Sequence, residues 1–248
     1  MGGLVSKNIL ITGGARRVGA RCVRYLHAQG CSILLHYRSS SSEAQGLADE
    51  LNLLRADSVR IIQADLTSSE ALARLADVAS KAWGGVDVLI NNASAFYATK
   101  VGDVIEEQWD DLLGSNLKAP FFLTQALMTT LKARHGCVVN IVDIHAERGL
   151  PDFSVYSIAK AGLVTLTKVL AKELSPEIRV NAVAPGAIMW PEQDEVAALQ
   201  KQEIQAKVAL QRIGCPDDIA KAVAYLINDA DYVTGQVITV DGGRTLFT

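Results

Sequence analysis

The stretch "VYSIAKAG" carries Tyr156 and Lys160, four residues apart in a run with helical apolar spacing. On a helix that spacing puts both side chains on one face. An ammonium beside a phenol stabilises the phenolate, so the pair predicts a lowered tyrosine pKa and a group able to donate or accept a proton near neutral pH. Tyrosine and lysine fall at this spacing by chance in many helices. What gives the pair weight is its place, after the fifth of a series of strand-like runs.

A second constellation lies in "ITGGARRVGA", residues 11–20. Gly13, Gly14 and Gly19 supply the permissive backbone of a strand-to-helix turn, and the helix that follows presents its first N–H groups to an anion. This is a phosphate cradle; a tight turn with no ligand is the plain alternative. Arg17 stands where a fixed positive charge could hold phosphate oxygens and still reach a polar substrate. Unpaired on the surface, it would do neither. Roughly twenty residues further on, where NAD-binding chains place an acid on the ribose, the sequence reads "HYRSSSS". No acid is present there. Beside Tyr37, Arg38 with Ser39 and Ser40 could instead hold a 2′-phosphate, which favours NADPH over NADH. A solvated loop would explain the serines but not the missing carboxylate.

Three further turns carry candidates. In "ADLTSSE", Asp65, followed by Leu66, could accept a hydrogen bond from an adenine amine, although "TSSE" at 67–70 also reads as a helix capping box. In "NNAS", Asn91 and Ala93 lie where a backbone must pass close to a cofactor. Ser94 and Phe96 follow, a hydroxyl and an aromatic face on the nicotinamide side.

These turns need elements to hold them. Short apolar runs alternate with amphipathic ones: "NILIT" before 16–29, "SILLHY" before 43–55, "VRIIQA" before 69–82, "VDVLIN" before 106–132. "CVVNIV" precedes 154–174, "IRVNAV" precedes helical stretches at 192–208 and 216–228, and "QVITV" closes the series. Seven strands separated by helices describe an α/β, doubly wound, mostly parallel sheet, because a parallel crossover needs a helix on the sheet face. No repeat or composition break divides residues 1–248, which are expected to form one domain with a substrate loop at about 187–212. In such sheets ligands bind outside the carboxyl ends of the strands, where every candidate above lies.

Composition limits the partners. The chain has 248 residues, 49% hydrophobic, and a formal net charge of −3, with Lys and Arg scattered rather than gathered, so nucleic acid is not an expected partner. The longest apolar runs are too short to span a bilayer and no signal segment is evident, which predicts a cytoplasmic protein. "MGGLVS" and the "NAS" of 92–94 fit myristoylation and glycosylation patterns, but the first runs straight into a predicted strand and the second is expected to sit in a buried turn. Cys22, Cys31, Cys137 and Cys215 show no metal-ligand spacing and the four histidines form no HxxxH pair, so no metal is expected and the thiols read as reduced.

Taken in order, the glycine turn, Asp65, "NNAS", Asn116 in "GSNLKAP", the Tyr156 and Lys160 pair, "PG" at 185–186 and "DGG" at 241–243 resemble a short-chain dehydrogenase/reductase along nearly the whole chain. The resemblance implies a Rossmann fold, a nicotinamide cofactor, catalytic roles for Tyr156 and Lys160, a water relay at Asn116, cofactor contacts at Pro185 and Gly186, and a homotetramer.

Two departures from that family's common pattern carry finer information. Where most members have a serine that donates to a substrate carbonyl, thirteen residues before the tyrosine, this chain has Asp143, flanked by Val142 and Ile144. An ionised carboxylate only accepts hydrogen bonds, and beside Tyr156 it would raise the tyrosine pKa. It suits a substrate that brings its own N–H donors, or a proton relay to Tyr156 for reduction of a ring C=N bond; a structural aspartate capping a turn is the alternative. Trp190 replaces the usual threonine four residues after Gly186, and with Pro191 it could form a lid over the substrate or simply pack on the surface.

Arg17, Ser94, Phe96 and Asp143 together resemble the pteridine reductase branch. That resemblance implies NADPH-dependent reduction of a dihydropterin or dihydrofolate, with the ring between Phe96 and the nicotinamide and Arg17 and Ser94 nearby. Two other functions remain open at this point. One is a carbonyl reductase of the 3-oxoacyl or sugar type, and the other is a non-catalytic NADP(H)-sensing module.

Overall fold

A computed structural model of the chain describes residues 6–188 and 203–247. Seven strands, β1 (Asn8–Ile11), β2 (Ser32–Tyr37), β3 (Val59–Gln63), β4 (Val88–Asn91), β5 (Cys137–Ile141), β6 (Arg179–Pro185) and β7 (Val237–Val240), form one sheet in the order β3-β2-β1-β4-β5-β6-β7. Every pairing is parallel. This is the doubly wound Rossmann architecture expected from the alternation of runs.

The strands read as unbroken apolar runs because both faces are covered. Ile9 and Ile11 of β1 pack into one core with Val23, Leu26 and Ile227, while Leu10 between them packs into the other with Leu75, Leu127 and Leu131. The same alternation splits Ile33 and Leu35 from Leu34, and Val88 and Ile90 from Leu89. Helices α1 (Arg17–Ala28), α2 (Ser41–Leu54) and α7 (Pro216–Asn228) cover the first face, and α3 (Ser69–Lys81), α5 (Ala119–Ala133) and α6 (Ser154–Glu173) the second. Strand order reverses between β2-β1 and β4, and a cleft opens outside the carboxyl ends there, as the topology requires.

Three expectations change in detail. The single helix expected at 106–132 is α4 (Glu106–Leu113), a π-helical turn at Gly114–Lys118, and α5. Pro120 lacks the N–H that would bond back to the carbonyl of Asn116, and the helix widens just ahead of it. The capping box at 67–70 does not form. Asp65 captures both the N–H and the hydroxyl of Thr67, at 3.0 and 2.7 Å, and Ser68 caps α3 instead by accepting from the N–H of Ala71. Of the helical stretch expected at 192–208, residues 203–206 are helical. Residues 189–202, with Trp190, Pro191 and most of the expected substrate loop, lie outside the described residues.

Candidate active site

Among the described residues no side chain caps the start of α1. Arg16 at the N-cap makes no side-chain cap and the first turn holds no acid, so its N–H groups face the cleft unpaired by side chains. A Cβ on Gly19 would overlap the carbonyl of Gly13 and stand 2.7 Å from Nδ2 of Asn92, and one on Gly13 would meet Cα of Ala93 at 2.9 Å. Gly13 also takes φ +62°. These two glycines are therefore required by how closely the β1 and β4 turns approach. Arg17, at φ +49°, opens α1 and lines the cleft with Gly13, Gly19 and Ala93.

The cleft is about 430 Å³ and its far end is walled by Tyr37, Arg38, Ser39, Ser40, Asp65 and Leu66. The Arg38 guanidinium lies between two carboxylates, 3.2 Å from Asp65 and 3.2 Å from Asp111 on α4. Burial disfavours an ionised Asp65, but the two Thr67 hydrogen bonds and Arg38 outweigh it and hold its pKa below the usual carboxylate value. An uncapped helix start, a basic group and hydroxyls at one end, and a shaped cleft between them fit a dinucleotide.

The β4 turn is tied to β1 by residues that the sequence did not single out. The Thr12 hydroxyl accepts from the N–H groups of Asn92 and Ala93, both at 3.0 Å, and the Asn92 amide donates to the carbonyls of Thr12 and Gly13, both at 2.9 Å. Asn91 does something different. Its side chain is buried in the sheet and donates to Asn140 at 2.8 Å, so any contact it makes with a cofactor must come through its backbone.

Beyond the turn, Ser94 donates to Oδ1 of Asn116 at 2.6 Å. The Asn116 amide is spent on the carbonyls of Ala95 and Leu112, both at 3.0 Å. Asn116 is fully buried within the π-helical turn, a distortion common where a helix must aim a polar side chain. Thr99 then ties this segment to α6. Its hydroxyl accepts from the N–H of Val155 at 3.2 Å, supplying the cap that Phe153 at the N-cap cannot. That anchoring stacks Phe96 on Phe153 at 4.5 Å and sets it edge-on to Tyr156 at 4.8 Å. Phe96 nevertheless stays 56% exposed, an aromatic surface beside the tyrosine.

Tyr156 and Asp143 meet directly. The phenol donates to Oδ2 of Asp143 at 2.8 Å, and Oδ1 accepts from the N–H of His145 at 2.8 Å. Asp143 thus both caps a short turn and faces the tyrosine, so the two readings of this residue coexist. Tyr156 is buried. Burial first, and the Asp143 charge and hydrogen bond after it, push its pKa far above the ordinary tyrosine value. The lowered pKa expected from the neighbouring ammonium is not what this arrangement produces. Lys160 Nζ is spent on the carbonyl of Ile141 at 2.9 Å and lies 5.7 Å from the phenol ring centre. Complete burial pushes Lys160 itself down to about 8, against a smaller opposing effect of Asp143.

Pro185 and Gly186 end β6 on the same side of the sheet. A Cβ on Gly186 would stand 2.6 Å from Cα of Asp241, so this glycine too answers to a neighbouring backbone. Phe153, the N-cap residue three before Tyr156, lies just outside the helix expected at 154–174 and was not singled out. Neither was Asp111.

A family description, enoyl-(acyl carrier protein) reductase, matches residues 13–245. The chain is 34% identical over 242 residues to 3-oxoacyl-[acyl-carrier-protein] reductase FabG of Staphylococcus aureus (strain Mu50 / ATCC 700699), covering 96% of this chain and 98% of that one. It is 37% identical over 249 residues to nodulation protein G of Rhizobium sp. (strain N33), covering 98% of each, and 35% identical over 278 residues to pteridine reductase 1 of Leishmania tarentolae, covering 96% of each. A cleft at the strand-order reversal, a tyrosine and lysine four residues apart on α6, and likeness along nearly the entire length establish the protein as an oxidoreductase of the short-chain dehydrogenase/reductase family, working with a nicotinamide cofactor on a small-molecule substrate.

Proposed function

We propose that the protein is an NADPH-dependent reductase of pterin-like substrates, dihydropterins or dihydrofolate. The observation that carries this reading is the 2.8 Å hydrogen bond from Tyr156 to Asp143. An ionised carboxylate offers no donor to polarise a ketone, and it resists phenolate formation. A reduced pterin ring brings N–H and amino donors that a carboxylate can accept. The likeness to pteridine reductase 1 of Leishmania tarentolae supports the same substrate class.

The cofactor supplies a hydride from nicotinamide C4. Gly13, Gly19 and the first N–H groups of α1 would bind its pyrophosphate with Arg17, and Arg38, Ser39 and Ser40 its 2′-phosphate. Asp65, Leu66, Tyr37 and the backbone of Asn91 and Ala93 would line the adenosine side, with Pro185 and Gly186 at the nicotinamide end. Phe96 offers the exposed ring against which a flat substrate stacks. Tyr156 delivers a proton to the ring nitrogen, and Asp143, when protonated, returns one to the phenolic oxygen through their existing contact. Lys160 holds positive charge near that oxygen, and Asn116 with Ser94 forms the hydrogen-bonded end of a water path. Exposed Phe121 and Phe122 on α5 and Val169 on α6 form an apolar groove, which supports the homotetramer. Four free cysteines accord with a cytoplasmic protein.

Reduction of 3-oxoacyl thioesters is the second reading, favoured by the likeness to 3-oxoacyl-[acyl-carrier-protein] reductase FabG. It leaves Asp143 facing a carbonyl. NADPH oxidation with dihydrobiopterin, repeated with Tyr156→Phe, tests the proposal. Turnover abolished by the substitution is expected; activity on ketones alone overturns it.

A further inference from the structure

Asp111 lies on α4, far in sequence from every turn that builds the cleft, yet its carboxylate reaches Arg38. One oxygen pairs with a guanidinium nitrogen at 3.2 Å and the other accepts from the Tyr97 hydroxyl at 3.1 Å. The single Tyr97 hydrogen is shared with the carbonyl of Gln108 at 3.3 Å, one turn earlier on α4, which seats the tyrosine against the helix beside the carboxylate. Asp65 occupies a second guanidinium nitrogen at 3.2 Å. The group that would meet a 2′-phosphate is therefore flanked by two acids, and the three side chains together carry a charge of −1.

We propose that Asp111 is a specificity-determining residue for the cofactor, one that weakens the preference of Arg38 for a 2′-phosphate. The proposal rests on the NADPH reading above. An arriving phosphate dianion gains the guanidinium but also feels both carboxylates, whereas the 2′-hydroxyl of NADH is neutral and feels neither strongly. A positioning role points the other way, so the balance between the two effects decides the direction. Arg38 is about half exposed and each carboxylate contacts it through a single long pair, an arrangement that holds a side chain only weakly. Asp65 shares that task, and the Gln63 amide donates to the Arg38 carbonyl at 3.0 Å, fixing the backbone independently. Repulsion between Asp111 and the phosphate persists wherever the guanidinium swings, so the charge effect exceeds the positioning effect.

Asp111→Asn separates them. Asparagine keeps one oxygen, for either the Arg38 or the Tyr97 hydrogen bond, and removes the charge at the cost of the other bond. Dissociation constants for NADPH and NADH should be measured on the parent, on Asp111→Asn and on Arg38→Ala, at low and moderate salt. Asp111→Asn is expected to tighten NADPH by roughly three- to tenfold at low salt, less at moderate salt, and to change NADH by less than about twofold. Arg38→Ala is expected to weaken NADPH alone. If Arg38→Ala acts selectively on NADPH while Asp111→Asn leaves the ratio unchanged or lowers it, the cofactor reading stands and the role of Asp111 is overturned. If Arg38→Ala changes neither dinucleotide, the NADPH reading fails and takes this proposal with it.

Discussion

Replacing Asp143 by Asn removes one charge and turns one of its two accepting oxygens into an amide donor. The side chain still has an oxygen to accept from the His145 N–H, and asparagine caps as well as aspartate, so the stability cost should stay below about 1 kcal/mol. At Tyr156 the change is larger. The oxygen that faces the phenol becomes an amide that can only donate, so the phenol loses a carboxylate acceptor worth about 1.5–3 kcal/mol and with it at least about 1.5 kcal/mol of its hold on the proton. That is a fall of about one pKa unit, from a value that burial still keeps above the ordinary one. The variant tyrosine is then the stronger acid. If Asp143 merely held the proton back, Asp143→Asn would turn over faster. A relay that needs a protonatable group behind the phenol requires the opposite, a loss of roughly a hundredfold or more in kcat, because an amide cannot carry the proton. Steady-state NADPH oxidation with dihydrobiopterin reads the sign directly. A kcat within threefold of the parent, or above it, refutes the relay.

Further outcomes follow from the same geometry. Lys160 holds its proton less tightly folded than unfolded, so between about pH 8 and its ordinary value of 10.5 its own contribution to stability rises with pH, while the buried thiols Cys22, Cys31 and Cys137, pushed up by burial, contribute in the opposite direction. Urea unfolding across that window should show the parent gaining about 3 kcal/mol relative to Lys160→Met, and parallel curves would contradict it. Gly19→Ala drives a methyl into the Gly13 carbonyl; it should abolish dinucleotide binding by fluorescence titration and cost about 1–3 kcal/mol of stability, and parent-like affinity would show that the turn is looser than described. Phe96→Ala removes two ring contacts from a half-exposed residue, which should cost about 1–2 kcal/mol in thermal unfolding. It should also raise the dihydropterin KM by roughly tenfold, at a loss of about 1.4 kcal/mol in binding; an unchanged KM would remove Phe96 from the substrate site.

The fold was legible because both sheet faces are buried and the strands say so residue by residue, Leu10 to one core and Ile9 and Ile11 to the other. The glycine turn and the Tyr156–Asp143 pair were legible as positions along that frame. Their electrostatics were not. Burial of Tyr156 is a tertiary fact, and it adds to the Asp143 charge and hydrogen bond to raise the phenol pKa, against the lowering expected from the Lys160 ammonium. Asn91 and Asn92 are neighbours of one residue type, and only the sheet decides which faces Asn140 and which ties the two turns. The π-helical turn around Asn116 and the reach of Asp111 to Arg38 depend on helix register ahead of Pro120 and across α4, which periodicity alone does not reveal.

The central claim is that a carboxylate behind the phenol serves a nitrogen heterocycle. Its most direct measure is the ratio of kcat/KM for dihydrobiopterin to that for a 3-oxoacyl thioester, in the unmodified protein with NADPH. A site built to accept from substrate N–H groups should favour the pterin by at least roughly a hundredfold. Rapid reduction of the thioester with dihydrobiopterin inert would contradict it.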